Sequence, residues 1–155
     1  MPLSIWVQMK LSRLYSNKPD KLGPVTFASG LNVILAEIRV PANRKKDTHN
    51  LGKTTLGQMI DFCLLSTRNP KFFLFKHAPL FNDFVFFLEI EVLNGSYITI
   101  RRPVTEATKI SFKHHSTPGK DFSDLPEAQW DHANVALDKA QKLLDGAMDL
   151  RDLKP

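Results

Sequence analysis

The stretch from Phe84 to Ile100 constrains this chain more than any other. Phe84, Phe86, Leu88, Ile90 and Val92 fall at every second position, and Glu89 and Glu91 lie between them. That period belongs to a half-buried strand. Asn94-Gly95 then breaks the run, and a second alternating segment holds Ile98 and Ile100. The pair reads as a hairpin. A two-residue Asn-Gly loop would set Glu91 opposite Ile98 and Glu89 opposite Ile100, mixing the faces. A three-residue loop, Leu93-Asn94-Gly95, pairs Ile90 with Ile98 and Leu88 with Ile100, and gives Gly95 the left-handed position of a bulge. A slip of one residue turns every side chain over, so the three-residue loop is expected. A further strand is predicted over Lys109–His114. Adjacent residues of a strand point to opposite faces, which argues against His114-His115 as a joint metal site.

Seven of the eleven phenylalanines lie between Phe72 and Phe87, which reads as core material. Upstream, His49-Asn50-Leu51-Gly52-Lys53-Thr54-Thr55 separates a strand-like run, Leu31–Ala36, from a helix-like run, Thr55–Leu65. In the helix, Leu56, Met59, Ile60, Cys63 and Leu64 form one apolar stripe. A Gly-Lys-Thr at a strand-to-helix junction has the form of the back half of a phosphate-binding loop. Backbone N–H groups and the helix N-terminus face an anion, and Gly52 lets the backbone approach it. Lys53 would reach the β- and γ-phosphates of ATP, and the Thr54 hydroxyl would ligate Mg²⁺. Asn50, Leu51 and Thr55 complete the expected nucleotide contacts. Asn50 has a second reading, a side-chain turn bond. The full motif also has a glycine where this chain carries Asp47. The plainer reading is a glycine-capped turn.

Met9–Asn17, Pro24-Val25-Thr26-Phe27, Gly30-Leu31-Asn32-Val33-Ile34-Leu35-Ala36-Glu37 and Gly52-Lys53-Thr54-Thr55 together resemble the opening of an SMC/RecN-type ABC ATPase head. The nearer resemblance is to a bacterial RecN-like branch with a C-terminal domain of unknown function, similar to components of suspected mobile-element defence systems. The resemblance implies an α/β fold of the P-loop NTPase type. Its N-lobe would have a mixed sheet, a phosphate-loop helix, an antiparallel β-subdomain and a helical C-terminus. These map to a nucleotide-binding core over 9–68, the subdomain over 72–115 and the tail over 123–150. It also implies that Arg13 lies near the nucleotide; the plainer reading of Arg13 is an exposed strand charge. The chain departs from the family where Ile38–Thr48 intervenes before the loop. Arg39, Arg44, Lys45 and Lys46 in that insertion suit a lid over phosphates or a DNA contact, and equally a solvated loop.

The chain has 155 residues, 43% hydrophobic and 24% charged, which is enough for one domain with a core. A net charge of +5 admits a polyanion partner, nucleotide or DNA, as well as a merely solvated surface. Cys63 stands alone, which excludes a disulfide framework and a cysteine zinc site. No apolar run reaches membrane-span length, and Met1–Gln8 lacks the features of a signal peptide, so a cytoplasmic location is expected. Met1–Gln8 also reads as a short extension or a misassigned start.

Ile5–Tyr15 is predicted as the first strand, and Pro24–Phe27 and Leu31–Ala36 as two more. Near the other end, Leu125-Pro126-Glu127 is expected to open a short helix capped by Ser123 or Asp124. Asn134 is expected to cap a second one carrying Val135, Leu137, Leu143 and Leu144 and broken at Gly146. The glutamine loop, signature motif and Asp-Glu strand of a working ABC ATPase do not occur in the sequence. The expectation is therefore ATP binding without independent hydrolysis, with the remaining parts supplied by a C-terminal lobe or second chain. Self-association is expected through some of Phe72, Phe73, Phe75, Phe81 and Phe87, with Phe84, Phe86 and Leu88 kept for the core. The competing expectation is a non-hydrolytic interaction or DNA-binding module with a degenerate loop.

Overall fold

The computed structural model describes residues 9–34, 53–92 and 95–147, with Lys53 described for its backbone alone. The expectations that fall on residues 1–8, 35–52, 93–94 and 148–155, among them Asn50, Leu51, Gly52 and the Arg39–Thr48 insertion, lie outside the described residues.

Among the described residues six strands form one sheet in the order β2-β1-β3-β4-β5-β6. They are β1 (Lys10–Ser16), β2 (Val25–Thr26), β3 (Val85–Glu91), β4 (Tyr97–Pro103), β5 (Lys109–His115) and β6 (His132–Ala136). The helices are α1 (Lys53–Cys63), the one-turn α2 (Phe73–Lys76) and α3 (Ala78–Phe81), and α4 (Leu137–Ala147). The architecture is α/β, but every strand pairing among the described residues is antiparallel, where a mixed sheet was expected.

The hairpin has the register that its alternation requires. Leu88 pairs with Ile100 and Ile90 with Ile98, Val92 N–H donates to Ser96 O across the loop mouth, and Gly95 has φ +75°. A register shift between Leu11 and Arg13 explains the imperfect alternation of β1, because the extra residue of a bulge flips the pattern partway along.

One sheet face carries Leu14, Phe86, Leu88, Ile90, Ile98, Ile100, Ile110 and Phe112, all buried under α1 and α4. From α1 come Met59, Phe62 and Cys63, with Leu56, Ile60 and Leu64 half-buried beside them. The stripe read from the sequence is thus the packed one, and Phe62 joins it. Phe72, Phe73, Phe75 and Phe81 pack half-buried around the same core. Phe84, Phe86 and Leu88 are buried as expected. Phe87, one of the residues expected at a partner surface, has almost no exposure. It is buried on the other face, stacked on Tyr15 at 4.9 Å.

Two segments differ from expectation. Leu31–Ile34 form no strand, and Leu31 and Val33 are 88% and 68% exposed. Asn32 accounts for this locally. Its Oδ1 accepts from Ala28 N–H at 2.7 Å, and its Nδ2 donates to Ala28 O at 2.9 Å, which closes a turn where a strand would need extended chain.

The second difference is at Asn134, which does not cap a helix. It lies within β6 with φ +51°, its N–H donating to Ser111 Oγ at 3.0 Å, and Val135 pairs with Ile110. The helix begins at Leu137 and runs through Gly146 to Ala147. The earlier helix is a single 3-10 turn, Glu127–Gln129, with no side-chain cap. Ser123 instead bonds Asp121.

Candidate functional site

Helix α1 starts at Lys53, the lysine of the Gly-Lys-Thr motif, and has no acidic side chain in its first turn. The four leading N–H groups of a helix have no partner within it, and the partial positive charge there favours anions. Thr54 is exposed in that turn and Thr55 is half-buried. An exposed hydroxyl of this kind can supply one ligand to Mg²⁺, an ion that takes most of its shell from phosphate oxygens, carboxylates and water. Among the described residues no cluster of three or more His, Cys, Asp or Glu suits a metal ion.

The far end of α1 is clasped tightly. Leu65, at φ +69°, ends the helix in the left-handed conformation. Leu65 N–H donates to Phe62 O and Ser66 N–H to Asp61 O, the paired bonds of a Schellman ending. Arg102 reaches into this end from β4. Its Nη1 donates to Phe62 O at 2.7 Å and to Ser66 O at 2.8 Å, and its Nε donates to Ala107 O at 2.8 Å. The guanidinium carbon stands 4.2 Å from the centre of the Phe62 ring. Arg102 is fully buried, and burial pulls its pKa down to about 10. Gln141 Nε2 of α4 holds Leu65 O at 2.8 Å. A cation at the C-terminus opposes the negative end of the helix dipole, so α1 is held by the end remote from the Gly-Lys-Thr motif.

Arg13 is not brought together with α1. Neighbouring Leu14 points to the face that α1 covers, whereas Arg13 and Tyr15 point to the other. There Arg13 Nη1 donates to Gly119 O at 2.7 Å, and its guanidinium lies 4.5 Å from the Tyr15 ring centre.

The same face holds a buried polar cluster that the sequence reading missed. Glu89 is wholly buried; its Oε1 accepts from Ser12 Oγ at 2.6 Å and its Oε2 from Gly119 N–H at 3.0 Å. His115 Nε2 lies 2.8 Å from Thr99 Oγ1 and 3.9 Å from Glu89 Oε2. Its Nδ1 is 2.8 Å from Thr117 O, which requires the proton on Nδ1 for that bond. Tyr15 Oη accepts from Phe122 N–H at 3.1 Å, and burial pushes its phenol up to about 12. These bonds strap residues 116–122 across the sheet. His114 and His115 face opposite ways, as strand alternation demands.

Arg102 had a usable signal, a charge in phase with Ile98 and Ile100 on the inward side of β4. The Glu89 cluster had none, because it depends on a chain segment returning from thirty residues away.

No protein-family model, curated protein or solved structure matches this chain. Among the described residues no helix is long and apolar enough to cross a membrane.

Proposed function

We propose that this chain binds ATP with Mg²⁺ through Gly52-Lys53-Thr54-Thr55, as the N-terminal part of an SMC/RecN-like ATPase of the P-loop class that acts on DNA in repair or defence. The observation that supports this most is the start of α1 at Lys53, with an exposed Thr54 and no acidic side chain in the first turn. Phosphoryl chemistry of this class rests on positioning and charge, so a helix held rigidly at its far end suits the task. Lys53 would supply charge to the phosphates, Thr54 a ligand to the metal, and Asn50, Leu51 and Thr55 flanking contacts. Water activation and the remaining nucleotide contacts would come from a C-terminal lobe or second chain. The apolar exposure of Leu31, Val33 and Ile34 is consistent with such a partner or with self-association.

Calorimetric titration with Mg-ATP tests the reading. Lys53→Ala should abolish binding while leaving the circular dichroism spectrum unchanged, since a lysine of this kind contributes charge rather than packing. Equal affinity in both proteins would remove the phosphate-loop assignment. The second reading, a non-hydrolytic interaction or DNA-binding module with a degenerate loop, would then stand. It is favoured by the lack of strand at residues 31–34, the described part of the Leu31–Ala36 run expected to form a buried strand before the loop.

A further inference from the structure

The geometry points to a separate carboxylate-binding site on the face of the sheet opposite α1, built on Arg13 and Thr26. A shallow, open depression of about 450 Å³ lies there, lined by Ser12, Arg13, Pro24, Thr26, Glu89, Pro118 and Gly119. That volume suits a small organic ligand.

Arg13 is fixed on two sides, by its bond to Gly119 O and by the Tyr15 ring. Its remaining N–H groups meet no acceptor among the described residues, so one edge of a rigid fork is left for a ligand. A guanidinium edge matches a carboxylate in a two-bond arrangement. Thr26 is the direct cross-strand partner of Arg13, which brings its hydroxyl to the same side as the guanidinium, and that hydroxyl has no partner among the described residues. Ser12 Oγ donates to Glu89 and keeps only acceptor capacity.

The nearest acidic group, Glu89, does not neutralise Arg13. It is sealed from solvent, and its oxygens are occupied by Ser12 and Gly119. Set in the wall as the directly paired neighbour of Arg13 on β3, its carboxylate weighs more heavily against a doubly charged phosphate ester than against a singly charged carboxylate. Pro24 and Pro118 offer apolar rings to the body of the ligand. The occupant is therefore a small monocarboxylate with a flat apolar body.

Amide NMR of the full chain, titrated with benzoate and separately with phenyl phosphate, tests this. Benzoate should shift the Thr26 and Gly119 amides saturably and more tightly than phenyl phosphate. Arg13→Gln should weaken benzoate by about tenfold or more, the cost of losing a charge-assisted pair. Thr26→Val leaves the Gly119 strap intact and should weaken benzoate severalfold. Lys53→Ala should leave benzoate binding unchanged, and Arg13→Gln should leave Mg-ATP affinity unchanged. Absence of a saturable shift at Thr26 and Gly119, or wild-type benzoate affinity in both Arg13→Gln and Thr26→Val, would overturn the site. Tighter phenyl phosphate binding would overturn its ligand class. Loss of benzoate binding in Lys53→Ala, or of Mg-ATP binding in Arg13→Gln, would merge Arg13 with the nucleotide site and overturn its independence. Failure of Lys53→Ala to alter Mg-ATP binding bears on the phosphate loop alone.

Discussion

The two faces of the sheet are built from different chemistry. The face under α1 and α4 is almost wholly aliphatic and aromatic, with Arg102 as its one buried charge among the described residues. The opposite face has a small aromatic group, Tyr15, Phe87, Phe122 and Trp130, beside the polar cluster of Glu89, Thr99 and His115. Its cover is mainly irregular chain from residues 116 to 131. Apolar burial is non-directional and tolerant of exact geometry, whereas buried polar groups must find partners in fixed positions. The first face therefore supplies most of the stability, and the second determines where one loop lies.

Substitution can break this contrast. The largest effect is expected for Phe62→Ala, which removes a ring packed against Phe72, Phe75, Phe86 and the Arg102 guanidinium. A loss of about 3–5 kcal/mol in urea unfolding is expected. A loss under 1 kcal/mol would show that α1 is not integral to the core.

Arg102→Met comes next. It keeps bulk but leaves the carbonyls of Phe62, Ser66 and Ala107 without this donor, for a cost of about 2–4 kcal/mol. Arg102→Lys should rescue little, because one ammonium cannot reproduce a planar fork. Full rescue by lysine would mean that charge alone matters there.

The polar face should also respond to alkali. Burial raises the Tyr15 phenol from 10.0 to about 12, so between these values the folded chain holds a proton that the unfolded chain has lost. Its contribution is complete below pH 10 and is lost as pH rises towards 12, at about 1.4 kcal/mol per pH unit. The buried Cys63 thiol, also pushed up to about 12, falls away in the same direction from pH 9. The difference between wild type and Tyr15→Phe isolates the phenol: the variant should decline less steeply over pH 10–12. Parallel stability curves would refute burial as the cause.

The smallest effect is expected for Glu89→Gln, about 1–2 kcal/mol, since the amide keeps one acceptor. Its clearer sign should be kinetic. With Gly119 less firmly tied, trypsin should cut after the exposed Lys120 several times faster than in wild type, while a comparable destabilisation on the other face should accelerate that cut less.

The same contrast explains what could be read from sequence. The β3–β4 register was legible because alternation and Asn94-Gly95 admit only one pairing that keeps faces unmixed. The α1 stripe was legible because helical periodicity and burial coincide. β6 was harder to read, because its register shifts at Asn134 and sends Ala133 and Val135 to opposite faces of the sheet. Asn134, read as a helix cap, obscured it. Leu31–Ile34 misled because a short apolar run resembles a buried strand, while the bonds that decide its shape come from Asn32. The Gly-Lys-Thr motif predicted where α1 begins to within two residues. The Arg13, Glu89 and Gly119 arrangement could not be read, because it joins positions 106 residues apart in one case and 30 in another.

The sheet order has a further consequence, for the timing of assembly. Strands β3 to β6 are neighbours in sequence as well as in space, so they can pair with short loop closures. β1 lies inside the sheet against β3, and the Ser12–Glu89 bond that links them spans 77 residues. During synthesis β1 precedes β3 by the whole of the segment that carries β2 and helices α1 to α3. β1 can pair early with the nearby β2, but Leu14 and Tyr15 stay without their β3 neighbours until that distant strand has been made, so the middle of the sheet is closed by its longest-range pairing.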